Sequence, residues 1–126
     1  DDSYNASPDS MKASLKVLAS EEGQRKIAVL GDMNELGDNE IAYHREIGEF
    51  LKDLAIDGLF TLGKKGEEIR KAMGEKQLPG KACFSLEELS LALEKEIKPG
   101  DLLLFKASNS LSTVIQEIRS KHCLPR

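Results

Sequence analysis

The sequence has no tryptophan, only two cysteines and two histidines, and no apolar run approaching the ~20 residues of a membrane span. Its 18 basic and 22 acidic side chains leave a net charge of −4 with the signs mixed along the chain, so there is no basic stripe to hold a nucleic-acid backbone. Cys83 and Cys123 make no Cys-x-x-Cys pair, and no histidine is placed to complete a metal site with them. Cys83, inside an apolar run, is expected as a buried small hydrophobe and Cys123 as a free thiol, a usage that fits a reducing cytoplasm. Neither Gly-x-Gly-x-x-Gly nor Gly-Lys-Ser/Thr marks a phosphate cradle. Two histidines give no assignable Ser-His-Asp set and no visible nucleophile–base pair. Self-contained catalysis, nucleic-acid binding and a spanning helix are thereby set aside.

What is present describes one soluble domain: 126 residues, 40% hydrophobic and 32% charged, enough for a single core and too few for two. Ser7, Pro8 and Asp9 form a helix start, since serine caps, proline suits the first helical position and an acid complements the positive dipole end. Met11, Leu15 and Leu18 follow at helical spacing, and Gly23 offers a left-handed stop. Lys26–Leu30 is a short apolar strand, expected to be buried on both faces. Gly31–Gly37 is a loop, after which Ile41, His44, Ile47, Gly48, Leu51, Leu54 and Ala55 make a helical stripe with Asp38 or Asn39 as cap. Gly58–Leu62 is the next strand, Gly63 and Gly66 flank a basic loop, and Ile69, Ala72 and Met73 mark a short helix ending at Gly74. Lys81–Phe84 is a brief strand. Ser85 and Glu88 spell a capping box ahead of a helix whose buried face is Leu86, Leu89, Leu93 and Ile97. Leu102–Phe105 is the most apolar strand, followed by the Lys106–Ser110 loop and a last helix burying Leu111, Val114, Ile115 and Ile118.

Strand and helix alternate with short connections, which predicts an α/β fold: a Rossmann-like, doubly wound, mostly parallel sheet with helices on both faces. The chain opens on acids where a first strand is expected, so that strand is expected upstream. In such sheets ligands bind beyond the carboxyl ends of the strands, the edge where the loops Asp1–Ser7, Gly31–Gly37, Gly63–Gly66 and Lys106–Ser110 all fall. Asp1 and Asp2 read either as a solvated terminus or as ligand groups, and the neighbouring Tyr4 and Asn5, a flat ring and an amide, favour a ligand. For Gly31-Asp32-Met33 a plain turn and a binding role stand level. His44, on its helix's apolar stripe, reads as a satisfied histidine bonding a neighbouring loop rather than as a catalytic base. Lys64 and Lys65 read as solvated. Lys106, held at the crevice by its strand, could meet a carboxylate or phosphate as a point charge.

Taken together, Asp1-Asp2-Ser3-Tyr4-Asn5-Ala6-Ser7-Pro8-Asp9-Ser10-Met11, Val29-Leu30-Gly31-Asp32-Met33-Asn34-Glu35-Leu36-Gly37, His44-Arg45-Glu46-Ile47-Gly48 and Leu103-Leu104-Phe105-Lys106-Ala107-Ser108-Asn109-Ser110 resemble the C-terminal domain of the Mur ligases, over essentially residues 1–126. The resemblance is strongest to the branch that adds D-Ala-D-Ala to a UDP-N-acetylmuramoyl tripeptide through an acyl phosphate. It implies an ATP-dependent amide ligase of cytoplasmic peptidoglycan synthesis whose UDP-sugar domain and central ATPase domain lie outside this chain. ATP and Mg²⁺ would be held mainly by that central domain, on which this one docks and closes. Carried over position by position, Asp2, Tyr4 and Asn5 fall to the nucleotide, and Asp32, Lys106, Ser108 and Asn109 to the dipeptide side. Many relatives have Gly and Arg where this chain has Ala107 and Asn109, so a guanidinium contact to the substrate carboxylate is not carried over.

Three alternatives compete. A folylpolyglutamate synthetase C-terminal domain predicts a histidine in the opening loop, which is absent. A receiver-type signalling module needs an aspartate at the end of the middle strand, where Leu62-Gly63 stands. A non-catalytic nucleotide-binding or docking module would bind ATP tightly on its own.

Overall fold

The computed structural model describes residues 7–22, 24–33 and 37–106. Four parallel strands, β1 (Lys26–Gly31), β2 (Gly58–Leu62), β3 (Ala82–Cys83) and β4 (Leu102–Lys106), lie in the order β3-β2-β1-β4. Helices α1 (Pro8–Ser20), α2 (Glu40–Leu51), α3 (Lys64–Met73) and α4 (Leu86–Glu96) alternate with them, and a 3-10 turn over Gly37–Asn39 leads into α2. The doubly wound, parallel α/β expectation holds.

The winding follows from the chirality of parallel connections. The chain steps outward from β1 to β2 to β3, then returns past β1 to β4, and right-handed crossovers in opposite directions lay their helices on opposite faces. Ala28 and Leu30 of β1 accordingly pack with Met11, Leu15, Ile47, Leu51, Ile69 and Met73 from α1, α2 and α3. Ile27 and Val29 turn the other way, to Phe60, Cys83, Leu89 and Leu93, the last two from α4. All six residues of β1 are buried, as expected of a strand covered on both sides. On the first face α2 and α3 approach closely because Gly48 has no side chain; a Cβ there would lie 2.2 Å from the Ile69 carbonyl oxygen.

Local chemistry sets the boundaries, several of which differ from the sequence reading. At α1, Ser7 Oγ accepts from the Ser10 N–H and Ser10 Oγ accepts from the Ser7 N–H, a reciprocal cap. The helix stops at an extended Glu21, ahead of Gly23, which lies outside the described residues. Helix α2 ends at Leu51, so Leu54 and Ala55 follow it, and Asn39 occupies its N-cap without a side-chain bond. The stretch expected as a basic loop is the first turn of α3: Lys64 and Lys65 are helical, with Gly63 as N-cap. At α4, Ser85 Oγ accepts from the Glu88 N–H, but Glu88 reaches the Phe84 N–H rather than that of Ser85. Leu86, expected on the buried face, is exposed beside this cap, while Leu89 and Leu93 are buried. Strand β4, expected to be strongly buried, is half-buried, and it runs one residue further, to Lys106. The expected last helix lies outside the described residues.

Candidate functional site

Strand register places the candidate residues on one rim. Leu30 is paired with Thr61 on one side and with Lys106 on the other, and Leu62 with Cys83. The segments that follow these positions, Asp32 after β1, Gly63 after β2 and Phe84 after β3, therefore leave the sheet along its carboxyl edge, which Lys106 shares as the last residue of β4. The winding reverses between β1 and β4, so Asp32, just past the end of β1, and Lys106, the last residue of β4, flank the topological switch point, the usual ligand crevice of open α/β sheets. Asp2, Tyr4, Asn5, Ser108 and Asn109 lie outside the described residues.

Asp32 has a defined job within the rim. Its Oδ1 accepts from the Gly66 N–H at 2.8 Å, so the carboxylate satisfies an orphan donor at the start of α3 and faces the positive end of that helix. Gly63 permits this contact: its φ is +105°, and a Cβ would lie 2.4 Å from Asp32 Oδ1. Gly66 is equally tight, since a Cβ there would come within 3.0 Å of Thr61 Cβ. Oδ1 is thus committed to the fold, whereas Oδ2 makes no hydrogen bond among the described residues. Thr61 Oγ1, buried in the neighbouring strand, has no protein partner among them either.

His44 secures the residue next to Asp32. It is fully buried, with Nε2 accepting from the Met33 N–H at 2.9 Å and Nδ1 lying 2.6 Å from the Glu40 carbonyl oxygen. An amide N–H can only donate and a carbonyl can only accept, so the ring is neutral with its proton on Nδ1. It is the satisfied, loop-binding histidine expected. Lys65 pairs with Glu40 at 3.0 Å instead of standing free in solvent, while Lys64 is exposed.

The shifted ionisations lie away from this rim. Burial pushes the Asp101 carboxyl up, but bonds from Arg25 and the Lys98 N–H outweigh it and hold Asp101 below the ordinary range. The Phe84 N–H and then Lys81 hold Glu88 low, and burial pushes the Cys83 thiol up, consistent with an inert packing residue. Among the described residues no three of His, Cys, Asp and Glu converge to hold a metal, so no step is assigned to Mg²⁺ on them. The sequence reading missed the trans cap from Asp32 to Gly66. Its signal was available: glycines at the N-cap and third position of a helix that follows a strand leave room for a neighbouring carboxylate.

This architecture defines a doubly wound α/β domain with a polar rim at its switch point and no complete catalytic set among the described residues. Residues 2–109 match the model of the Mur ligase glutamate ligase domain, and the chain belongs to that family. A Synechocystis UDP-N-acetylmuramoyl-tripeptide–D-alanyl-D-alanine ligase is 39% identical over 97% of this chain, and a Bacillus subtilis ligase of the same name is 41% identical over 87%. Among solved structures, MurF from Acinetobacter baumannii superposes with a TM-score of 0.76 at 28% identity over 93% of the chain. MurF from Thermotoga maritima in complex with ADP gives 0.72 at 31% identity over 94%. The chain spans about a quarter of the length of these relatives (27% and 25% of the two ligases). Family membership sets aside the receiver reading.

Proposed function

We propose that this chain is the closing, C-terminal domain of an ATP-dependent ligase that joins D-Ala-D-Ala to the carboxylate of a UDP-N-acetylmuramoyl tripeptide in cytoplasmic peptidoglycan synthesis. The observation that carries the reading is the likeness to ligases of that name along nearly the whole chain, at 39% identity over 124 residues. It favours this substrate over the glutamate additions of a folylpolyglutamate synthetase.

Carboxylate activation as an acyl phosphate needs a phosphate cradle and Mg²⁺, which a central ATPase domain would supply. The contribution of this chain is to complete that site from across a cleft. Asp2, Tyr4 and Asn5 would meet the nucleotide, and Asp32, Lys106, Ser108 and Asn109 the dipeptide. At that rim an ammonium from Lys106 suits a substrate carboxylate, and Asp32 Oδ2 suits the incoming amine or its proton. Docking on the central domain would exclude water from the acyl phosphate and align the amine for attack.

The test compares the full-length enzyme with the isolated 126-residue chain, following ATP-dependent amide formation from D-Ala-D-Ala and the UDP-muramoyl tripeptide. The full-length enzyme is expected to turn over and the isolated chain to be silent. Robust turnover by the isolated chain, or failure of the full-length enzyme to use D-Ala-D-Ala, overturns the proposal.

A further inference from the structure

We infer that His44 is a positioning residue for the ligand rim: its Nδ1–H tautomer locks the Asp32 segment to α2 and thereby sets where the rim carboxylate stands. The inference rests on the ligase reading for its substrate but on geometry for its mechanism.

A fully buried histidine is seldom kept for packing alone, because both ring nitrogens must find partners. Here they reach two different places. Nδ1 is anchored on its own helix, at the Glu40 carbonyl one turn back, and Nε2 crosses to the Met33 N–H at 2.9 Å, eleven residues away. Met33 is itself fully buried, so without Nε2 its N–H would lose the acceptor that the structure gives it. The adjacent residue is Asp32, whose Oδ1 is tied to Gly66 of α3 at 2.8 Å. His44, Met33, Asp32 and Gly66 thus form one continuous connection from α2 through the rim to α3. The helices at its two ends are already fixed to each other by the close approach at Gly48. Asp32 and Met33 are held to these helices by the two side-chain bonds, and His44 supplies the one that reaches α2. Its role differs from general packing because an apolar side chain of equal volume would fill the site without holding the N–H.

The test uses the full-length ligase carrying His44→Leu or His44→Gln. Leucine keeps the bulk and removes the acceptor; glutamine can present an oxygen where Nε2 stands. Two quantities are read: amide hydrogen exchange at Met33, and the KM for D-Ala-D-Ala against kcat. His44→Leu is expected to speed exchange at Met33 and raise KM, each by roughly tenfold, with kcat within about threefold of wild type. His44→Gln is expected to bring both back to within about threefold of wild type. Unchanged exchange in the leucine variant overturns the lock, and raised exchange with unchanged KM overturns the positioning role. Where the leucine variant does not fold, glutamine decides, and loss of both properties there overturns the proposal. An inactive wild-type enzyme contradicts the ligase reading instead, while the exchange measurement still judges the lock.

Discussion

Gly63 and Asp32 are separated in the chain by α2 and β2, yet neither position is independent of the other. The backbone of Gly63 occupies left-handed space at φ +105°, and the space a Cβ would need is already filled by the Asp32 carboxylate. Gly63→Ala therefore suffers twice, through the unfavourable dihedral and through displacement of Asp32 from the Gly66 N–H. The expected loss is about 2–3 kcal/mol, read as a lowered unfolding midpoint in denaturant. Asp32→Asn keeps an oxygen for Gly66 but removes the charge facing α3, so it should cost under about 1 kcal/mol in stability. A Gly63→Ala variant as stable as wild type would show that the rim does not need this contact.

At this scale the sequence was readable where the chemistry is local. The burial of Cys83 follows from its apolar neighbours, and the satisfied state of His44 from its place on a stripe. The partner of Asp32 was not readable, because Gly66 lies 34 positions away and meets it only through the alignment of β1 with β2.

At the scale of elements, a second set of fasteners lies at the amino-terminal edge of the sheet. Arg25 donates from Nε and Nη2 to the two oxygens of Asp101 at 3.1 and 2.7 Å and from Nη2 to the Glu96 carbonyl, binding the starts of β1 and β4 and the end of α4. The Lys26 N–H donates to Asp57 Oδ2, and the Asp57 N–H to the Lys26 carbonyl, joining β1 to the start of β2. Lys26 Nζ then takes the Ala19 and Glu21 carbonyls, capping α1 with a cation at its negative end. Asp101 is 6% exposed at its side chain, so Asp101→Asn should destabilise the domain by about 2 kcal/mol at pH 7 through loss of the charge-assisted pair. The pH dependence has a definite sign. The folded carboxyl titrates below its ordinary value, so its contribution is complete above about pH 4 and fades as pH falls through the lower folded value. Wild type should lose stability on that acid limb and the asparagine variant should lose less. Equal acid slopes in urea unfolding would contradict this.

Element type and order were legible throughout the described residues, and β2 was legible to the residue, because period and burial state agree there. The start of α3 was misread since Gly63, Lys64, Lys65 and Gly66 have the composition of a loop. What makes them helical is tertiary: Asp32 supplies the N-terminal acceptor that no local side chain offers. Leu86 looked buried by spacing, but it sits in the first turn of α4, beyond the reach of the core formed by Leu89 and Leu93.

Among the described residues of the whole molecule, the two edges of the sheet differ in what they carry. The amino-terminal edge is closed by the Arg25–Asp101 pair and by side-chain bonds to backbone, and the carboxyl edge carries Asp32 and Lys106 at the point where the winding reverses. Such a division lets a domain stay rigid while one rim engages a ligand held largely by another domain. The fold class, the edge and two of the rim residues were visible in the alternation of elements and in the loops after each strand. The proposed reliance on a central domain starts from a deficit in the sequence, the missing phosphate cradle, and from the family resemblance. The most direct measurement is a crystal structure of the full-length enzyme with ADP and D-Ala-D-Ala bound. The proposed closing role requires ligand atoms within hydrogen-bonding reach of Asp32 or Lys106, in a cleft between this rim and the central domain. Ligands lying at the Arg25–Asp101 edge, or touching no residue of this chain, would contradict it.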